Sequence, residues 1–188
     1  YWASEYHIDG FRFDLMGVLD IETLNEARKA LLKINPDIIM YGEGWTGGES
    51  TLPESERGMK INAPRTPGIG MFSDDIRDAV KGHVFYMDEL GFVNGAADRG
   101  EELKQAVTCA KWAKSPMQSI NYLSCHDNYT LWDRFIISNS HESEEMRIRM
   151  NKLAAAILFT AQGIPFFLHG EEFARTKISE ADGAPVEN

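Results

Sequence analysis

Five short apolar segments, separated by stretches with helical spacing, constrain the fold of this chain more than any other feature. They lie near residues 10–14, 38–43, 69–73, 119–125 and 164–168. Strands that alternate with helices are typical of an α/β fold with a parallel sheet, either a barrel or a doubly wound sheet. A complete eight-stranded barrel needs about 250 residues. The 188 residues and five strands therefore predict the second part of such a (β/α)8 barrel.

Four helices are predicted between these strands from apolar spacing and end signals. They cover residues 21–34, 74–81, 101–113 and 143–162. Asp20 and Ser73 occupy N-cap positions, where a side-chain oxygen satisfies the first backbone N–H groups. Gly163 supplies a glycine at the end of the last helix.

The composition excludes several classes of function. Nineteen basic against twenty-nine acidic residues give a formal net charge of −10, which argues against nucleic-acid and anionic-membrane partners. No apolar run approaches the roughly 20 residues of a membrane span. The two cysteines, Cys109 and Cys125, are too few for a disulfide framework and fit no zinc spacing. A Cys125–His126 nucleophile is disfavoured, because neighbouring strand residues face opposite ways.

The first strand carries a charged pair at its carboxyl end. Side chains alternate along a strand, so Phe11 and Phe13 face one side while Arg12 and Asp14 face the other. Parallel α/β proteins keep their chemistry at this end of the strands. Arg12 favours the ionised form of Asp14, which makes Asp14 a candidate nucleophile. The alternative is a buried structural ion pair.

Two further strands also end in acidic residues. Glu43 follows the second strand, and His126 and Asp127 follow the fourth. Several carboxylates at one barrel face suit glycoside hydrolysis, in which one acid protonates the leaving oxygen and another attacks the anomeric carbon. A metal site is the alternative. It is disfavoured because His7 and His126 lack the paired spacing that is usual for zinc.

Together these segments resemble three of the four signature regions of the alpha-amylase superfamily. The three regions are residues 10–14, 41–45 and 121–128. Further segments are similar to the type I pullulanases among its debranching members, namely residues 14–16, 42–45, 72–82, 128–133 and 162–173. The similarity spans nearly the whole chain.

The resemblance implies a catalytic (β/α)8 barrel that runs here from its fourth strand to just past its eighth. It implies hydrolysis of α-1,6 branch linkages in pullulan, starch or glycogen-derived dextrins, with retention of configuration and without a cofactor in the chemistry. A structural calcium stays open. Asp14 takes the nucleophile position, Glu43 the acid/base position and Asp127 that of the third carboxylate. Arg12 and His126 match residues that bind substrate and orient charge.

The surroundings of Glu43 in the sequence agree with an acid role. Glu43 lies between two glycines with Tyr41 and Trp45 nearby, and an apolar surrounding is expected to raise its pKa. Trp45 is either a core aromatic or a wall of the sugar pocket, and the second is slightly favoured.

Two departures from the family pattern affect this hypothesis. The first signature region, an Asn-His pair after the third strand, is absent, and the tail from Ile178 lacks an Asn- and Asp-rich loop. Isoamylase-type enzymes and related transferases more usually carry proline where this chain has Gly44. They stay as alternatives, together with an inactive carbohydrate-binding remnant.

The ends of the chain predict a partial catalytic domain over residues 1–188, truncated on both sides. Tyr1 is not an initiating methionine, no signal-peptide layout follows it, and the last residues form a loop. The expected partner is therefore the missing N-terminal part of the same barrel, and the 188 residues alone are expected to be inactive. Both a cytoplasmic and a secreted location remain open.

Overall fold

The computed structural model describes residues 1–179 and 181–187. The helices are α1 (Trp2–Glu5), α2 (Ile21–Leu32), α3 (Asp74–Lys81), α4 (Gly100–Val107), α5 (Leu131–Ser138) and α6 (Glu144–Thr160). The strands are β1 (Gly10–Phe13), β2 (Ile39–Gly42), β3 (Gly70–Ser73), β4 (Ser119–Asn121) and β5 (Ile164–Pro165). Short 3-10 helices cover Met16–Val18, Glu54–Glu56, Lys60–Arg65, Ala97–Arg99, Pro116–Gln118 and Glu171–Phe173. Glu180 and Asn188, which belong to the tail that departs from the family pattern, lie outside the described residues.

The predicted α/β class is confirmed. Within the described residues the sheet has five strands in chain order, and the pairs β1–β2 and β2–β3 are parallel. In the part of the chain that is described, no helix is both long and apolar enough to cross a bilayer. Assignment of this sheet to the second part of a barrel stays a prediction.

Several element ends differ from those predicted. Helix α4 stops at Val107 rather than near residue 113, because Cys109 has a positive φ of 99° and the Thr108 hydroxyl donates to the carbonyls of Lys104 and Gln105. Strands β4 and β5 are also shorter than predicted.

The predicted N-caps have mixed outcomes. Asp20 is confirmed, since its side chain accepts the backbone N–H of Thr23 at 2.7 Å. Ser73 occupies the N-cap position of α3, but its hydroxyl makes no cap hydrogen bond. The missing bond matters little for the helix, because Asp74 and Asp75 place two negative charges in its first turn. These charges interact favourably with the positive, N-terminal end of the helix dipole.

The chain divides into two compact units. The first comprises Tyr1–Phe72 and Lys111–Ile120. Its core joins α2, β2 and β3 with the loops around them through buried Met16, Leu24, Met40, Ala63, Ile69 and Met71. Phe13 of β1 packs against this core, as the alternation of the strand predicts.

The second unit comprises Ser73–Ala110 and the chain from Asn121 onward. Its core is built from α3, α5 and α6, with buried Ile76, Val80, Leu123, Leu131, Phe135, Ala154 and Leu158. Only part of the predicted apolar face of α6 is covered, since Met146 and Leu153 are exposed. Within this unit, Phe166 after β5 donates its N–H to the carbonyl of Asn121 at 2.7 Å.

Candidate active site

An arginine bridges the two acids at the ends of β1 and β2. Because these strands are parallel neighbours, their carboxyl ends share one edge, where Asp14 follows β1 and Glu43 follows β2. Arg12 Nη1 lies 2.8 Å from Asp14 Oδ1, and Arg12 Nη2 lies 2.8 Å from Glu43 Oε1. The guanidinium therefore fixes both carboxylates by charge-assisted hydrogen bonds.

The two acids differ sharply in exposure. The side chain of Asp14 is 64% exposed, whereas that of Glu43 is 5% exposed. Glu43 Oε2 also accepts the backbone N–H of Leu15 at 2.7 Å, and a positive φ of 44° turns the chain at Leu15. Glu43 is thus immobilised on both oxygens, while Asp14 presents a carboxylate to solvent.

The separation of these acids bears on the chemistry they can perform. A carboxylate oxygen of Asp14 lies within 4.8 Å of one of Glu43. Retaining glycosidases hold their two carboxyl groups about 5–5.5 Å apart, whereas inverting enzymes leave about 6.5–9.5 Å for a water. The close approach of these oxygens is nearer to the spacing of retaining enzymes, which favours direct attack by one carboxylate.

Aromatic rings hold the bridging arginine in place. The guanidinium carbon of Arg12 lies 5.3 Å from the ring centroid of Phe72, within the range of a cation–π contact. Tyr41 meets Phe72 edge-on, with centroids 5.7 Å apart. The guanidinium of Arg12 is therefore held by the Phe72 ring as well as by the two carboxylates.

Trp45 lies on the loop after Glu43 and is partly buried. The ammonium of Lys60 lies 5.6 Å from a Trp45 ring centroid, and the backbone N–H of Lys60 donates to the carbonyl of Gly44 at 3.0 Å. These contacts tie the loop after β2 to the Lys60–Arg65 segment. The predicted wall role of Trp45 stays a prediction.

Gly17 supports the same loop through a close backbone approach. Its N–H lies 3.2 Å from the carbonyl oxygen of Glu43 and 3.1 Å from that of Trp45. A Cβ at Gly17 would lie 2.5 Å from the Trp45 carbonyl oxygen, which is backbone and cannot swing aside. The sequence did not single out this glycine.

We predict that Gly17→Ala lowers the free energy of unfolding by about 1–3 kcal/mol, the usual cost of inserting a methyl group into a packed site. Gly48→Ala is the matched control, since nothing lies within 4 Å of a Cβ there. Urea unfolding of both variants measures the effect. Equal midpoints for the two would show that residues 43–45 can shift without cost.

The second unit carries the other two predicted site residues. The chain bends over residues 126–128, with His126 and Asp127 about half exposed at 51% and 52%. His126 Nε2 lies 3.4 Å from Asp127 Oδ1, and Asn128 adopts a left-handed conformation with φ 61°. Both side chains are therefore about half accessible to solvent.

Sequence analysis missed a buried ionisable pair in the second unit. Lys81 and Glu171 are 2% and 3% exposed. Burial lowers the pKa of Lys81 to about 7 and raises that of Glu171 to about 7. Glu171 accepts hydrogen bonds from the Ser124 hydroxyl and the Leu168 N–H. The sequence signal for this buried site was the four-residue spacing of Arg77 and Lys81, which places both side chains on one face of α3.

Glu171 predicts a pH-dependent loss of stability. Its folded pKa of about 7 exceeds the ordinary 4.5, so the folded state holds the proton over that window. The free energy of unfolding therefore falls as the pH rises from 4.5 to 7, by on the order of 3 kcal/mol for a shift of this size.

Glu171→Gln is expected to remove this loss, since glutamine has no proton to release. Urea unfolding at several pH values between 4.5 and 7.5 measures it. The control is Glu172→Gln at the exposed neighbouring position, which should keep the wild-type pH dependence. A pH dependence of Glu171→Gln equal to that of wild type would contradict the assignment.

Comparisons with known proteins agree with the sequence resemblance. No protein-family model matches the chain. The chain is 41% identical to the pullulanase of Bacillus subtilis (strain 168) over 184 residues, which cover 94% of this chain and 26% of that protein. It therefore spans about a quarter of the length of this relative.

Solved structures give the same result. A crystal structure of pullulanase from Anoxybacillus sp. LM18-11, complexed with maltotetraose, matches with a TM-score of 0.92 and 46% identity, covering 98% of this chain and 26% of that one. A pullulanase from Paenibacillus barengoltzii, in complex with maltohexaose and alpha-cyclodextrin, matches with a TM-score of 0.88 and 48% identity, over 94% and 28% of the two chains. The predicted resemblance to pullulanases is confirmed.

Proposed function

We propose that this chain supplies part of the catalytic (β/α)8 barrel, from its fourth strand to just past its eighth, of a retaining glycoside hydrolase that cleaves α-1,6 branch linkages in α-glucans. The observation that carries the proposal is the pair Asp14 and Glu43, held by Arg12 at one edge of the sheet. The homologous pullulanases support the debranching of glucans.

In the proposed first step, an oxygen of Asp14 attacks the anomeric carbon while Glu43 gives its proton to the glycosidic oxygen. The bond from the anomeric carbon to that oxygen breaks, the leaving sugar departs as an alcohol, and a glycosyl ester forms on Asp14. Each oxygen of Glu43 accepts one hydrogen bond and keeps a second lone pair, so protonated Glu43 can remain in the same position.

In the second step, ionised Glu43 removes a proton from water, and the water oxygen attacks the anomeric carbon. The ester bond to Asp14 breaks, and two inversions restore the α configuration. Arg12 holds the carboxylate of Asp14 in place for the attack through their ion pair at 2.8 Å. The carboxyl groups carry the whole reaction, and the proposal needs no cofactor.

The substrate is proposed to be an α-glucan. Asp127 and His126 would bind sugar hydroxyl groups, and Asp127 would stabilise the transition state. Trp45 would form a wall of the pocket, since partly buried aromatic rings stack on sugars. The two Anoxybacillus and Paenibacillus enzymes that contain maltooligosaccharides support this substrate class.

Product analysis on pullulan tests the proposal with the full-length protein. A pullulanase releases maltotriose, an isoamylase-type enzyme attacks pullulan little, and a binding remnant gives no product. Proton NMR of the first product formed should show the α anomer. An initial β anomer would exclude the retaining mechanism.

A further inference from the structure

Three possible metal ligands converge at the bend after β4. Cys125, His126 and Asp127 each offer one donor atom, and these atoms lie within 4.8 Å of one another. The convergence arises because β4 ends at Asn121 and the chain then bends. The alternation of an extended strand, which would separate neighbouring side chains, does not apply here.

The spacing of the donors suits a small tetrahedral ion. Two nitrogen or oxygen ligands at about 2.0–2.1 Å from Zn²⁺ lie about 3.4 Å apart at a tetrahedral angle. His126 Nε2 and Asp127 Oδ1 are 3.4 Å apart. The sulfur of Cys125 points over the same bend, 4.0 Å from the carbonyl oxygen of Asp127.

The chemistry of the donors selects the ion. A thiolate and an imidazole favour Zn²⁺ and its neighbours over Mg²⁺ and Ca²⁺, which prefer oxygen ligands. We propose that Cys125, His126 and Asp127 form a binding site for Zn²⁺, with a water in the fourth position. Spacing rules based on pairs of histidines or cysteines do not detect such a site, because all three ligands are consecutive.

Other contacts hold the bend in shape. The ammonium of Lys177 donates to the carbonyls of His126 at 2.9 Å and Glu187 at 2.8 Å, and the Asn128 amide donates to Glu187 Oε1 at 3.4 Å. The positive charge of Lys177 lies near the site and weakens the binding of a cation there. The site is therefore expected to bind a metal reversibly rather than to be a permanent structural centre.

Metal binding has a consequence for activity that rests on the proposed function. His126 and Asp127 are the residues proposed to bind sugar hydroxyl groups, so Zn²⁺ and substrate would compete for them. We expect Zn²⁺ to inhibit pullulan hydrolysis. Binding of the metal itself does not depend on the proposed function.

The test uses the purified full-length protein with a phosphine reductant, which avoids thiols that chelate zinc. Titration calorimetry should show a Zn²⁺ site that Cys125→Ser weakens at least tenfold, the order of loss expected when one ligand of a metal site is removed. Co²⁺ should give the near-ultraviolet charge-transfer band of a thiolate ligand. Cys109→Ser, at the other cysteine of this chain, should keep both signals.

Loss of the Co²⁺ band in Cys109→Ser, or Zn²⁺ affinity unchanged in Cys125→Ser, would overturn the site. Inhibition is measured for each variant relative to its own metal-free rate, and Cys125→Ser should resist Zn²⁺. A further outcome is that the metal binds with the thiolate band while Zn²⁺ leaves pullulan hydrolysis undiminished. That result would support the metal site and overturn the proposal that His126 and Asp127 bind the substrate. The two proposals can therefore fail separately.

Discussion

Replacing Asp14 with asparagine in the full-length protein is expected to lower kcat on pullulan by at least about 10³-fold, since removal of a nucleophile abolishes the covalent step. Asparagine keeps the shape of the side chain but cannot form the glycosyl ester. Glu43 keeps its own hydrogen bonds from Arg12 and from Leu15. The loss should therefore fall on turnover rather than on folding.

Asp37→Asn is the matched control. Asp37 is exposed and precedes β2, at the end of the strand opposite to Glu43, so its replacement should leave kcat unchanged. Thermal unfolding of both variants checks that they fold. A kcat for Asp14→Asn within tenfold of wild type would exclude the nucleophile role.

Rescue by azide tests whether Asp14 is the nucleophile or only shapes the site. In Asp14→Ala the azide anion can enter the space left by the carboxylate. It can then attack the anomeric carbon of an activated α-glycoside from the face that Asp14 attacks in the wild-type protein. The expected product is a β-glycosyl azide, formed by a single inversion. Absence of rescue, or an α-glycosyl azide, would contradict the assignment of Asp14.

The sequence predicts local features of the site, because these depend on the two-residue period of a strand and on the charges of neighbouring side chains. Alternation along β1 places Arg12 and Asp14 on one side, and the structure pairs them at 2.8 Å. The apolar run before Glu43 predicts a strand that delivers this acid to the same edge, and β2 does so, although the predicted burial of this strand is wrong at Ile39, which is 54% exposed. Both inferences use neighbours within one segment, where side-chain direction follows from the strand itself.

Features that depend on register and burial could not be predicted. The bridge from Arg12 to Glu43 requires Arg12 to stand opposite Tyr41 in the β1–β2 pair, which no single segment specifies. The sequence predicts an apolar surrounding for Glu43. The structure buries Glu43 but satisfies its oxygens with a guanidinium and a backbone N–H.

Helix α5 shows a local signal that was present but not used. Thr130 accepts the N–H of Asp133, and its hydroxyl donates to Asp133 Oδ2, which is a capping arrangement readable from the spacing of the two residues. By contrast, the Lys60–Arg65 segment has no periodic pattern. Its position depends on tertiary contacts such as that from Lys60 to Gly44.

Glu43→Gln is expected to reduce kcat on pullulan by about 10²–10⁴-fold, the usual contribution of a positioned general acid. Glutamine keeps a carbonyl that can accept the Leu15 N–H or an Arg12 donor, but it has no proton to give to the glycosidic oxygen. Glu49→Gln is the control, because Glu49 is exposed on the same loop. Thermal unfolding should show that both variants remain folded.

Substrates with different leaving groups show whether Glu43 acts as a general acid or only binds substrate. A fluoride or a dinitrophenolate departs without protonation, so the first step of Glu43→Gln on such glycosides should run close to the wild-type rate. Deglycosylation would stay slow, because no base activates water, and the glycosyl-enzyme on Asp14 should accumulate. Rapid-quench mass spectrometry should detect this ester, and azide should speed its turnover. Equal losses on activated and natural substrates, without accumulation of the ester, would show that Glu43 contributes binding or structure instead of the proton.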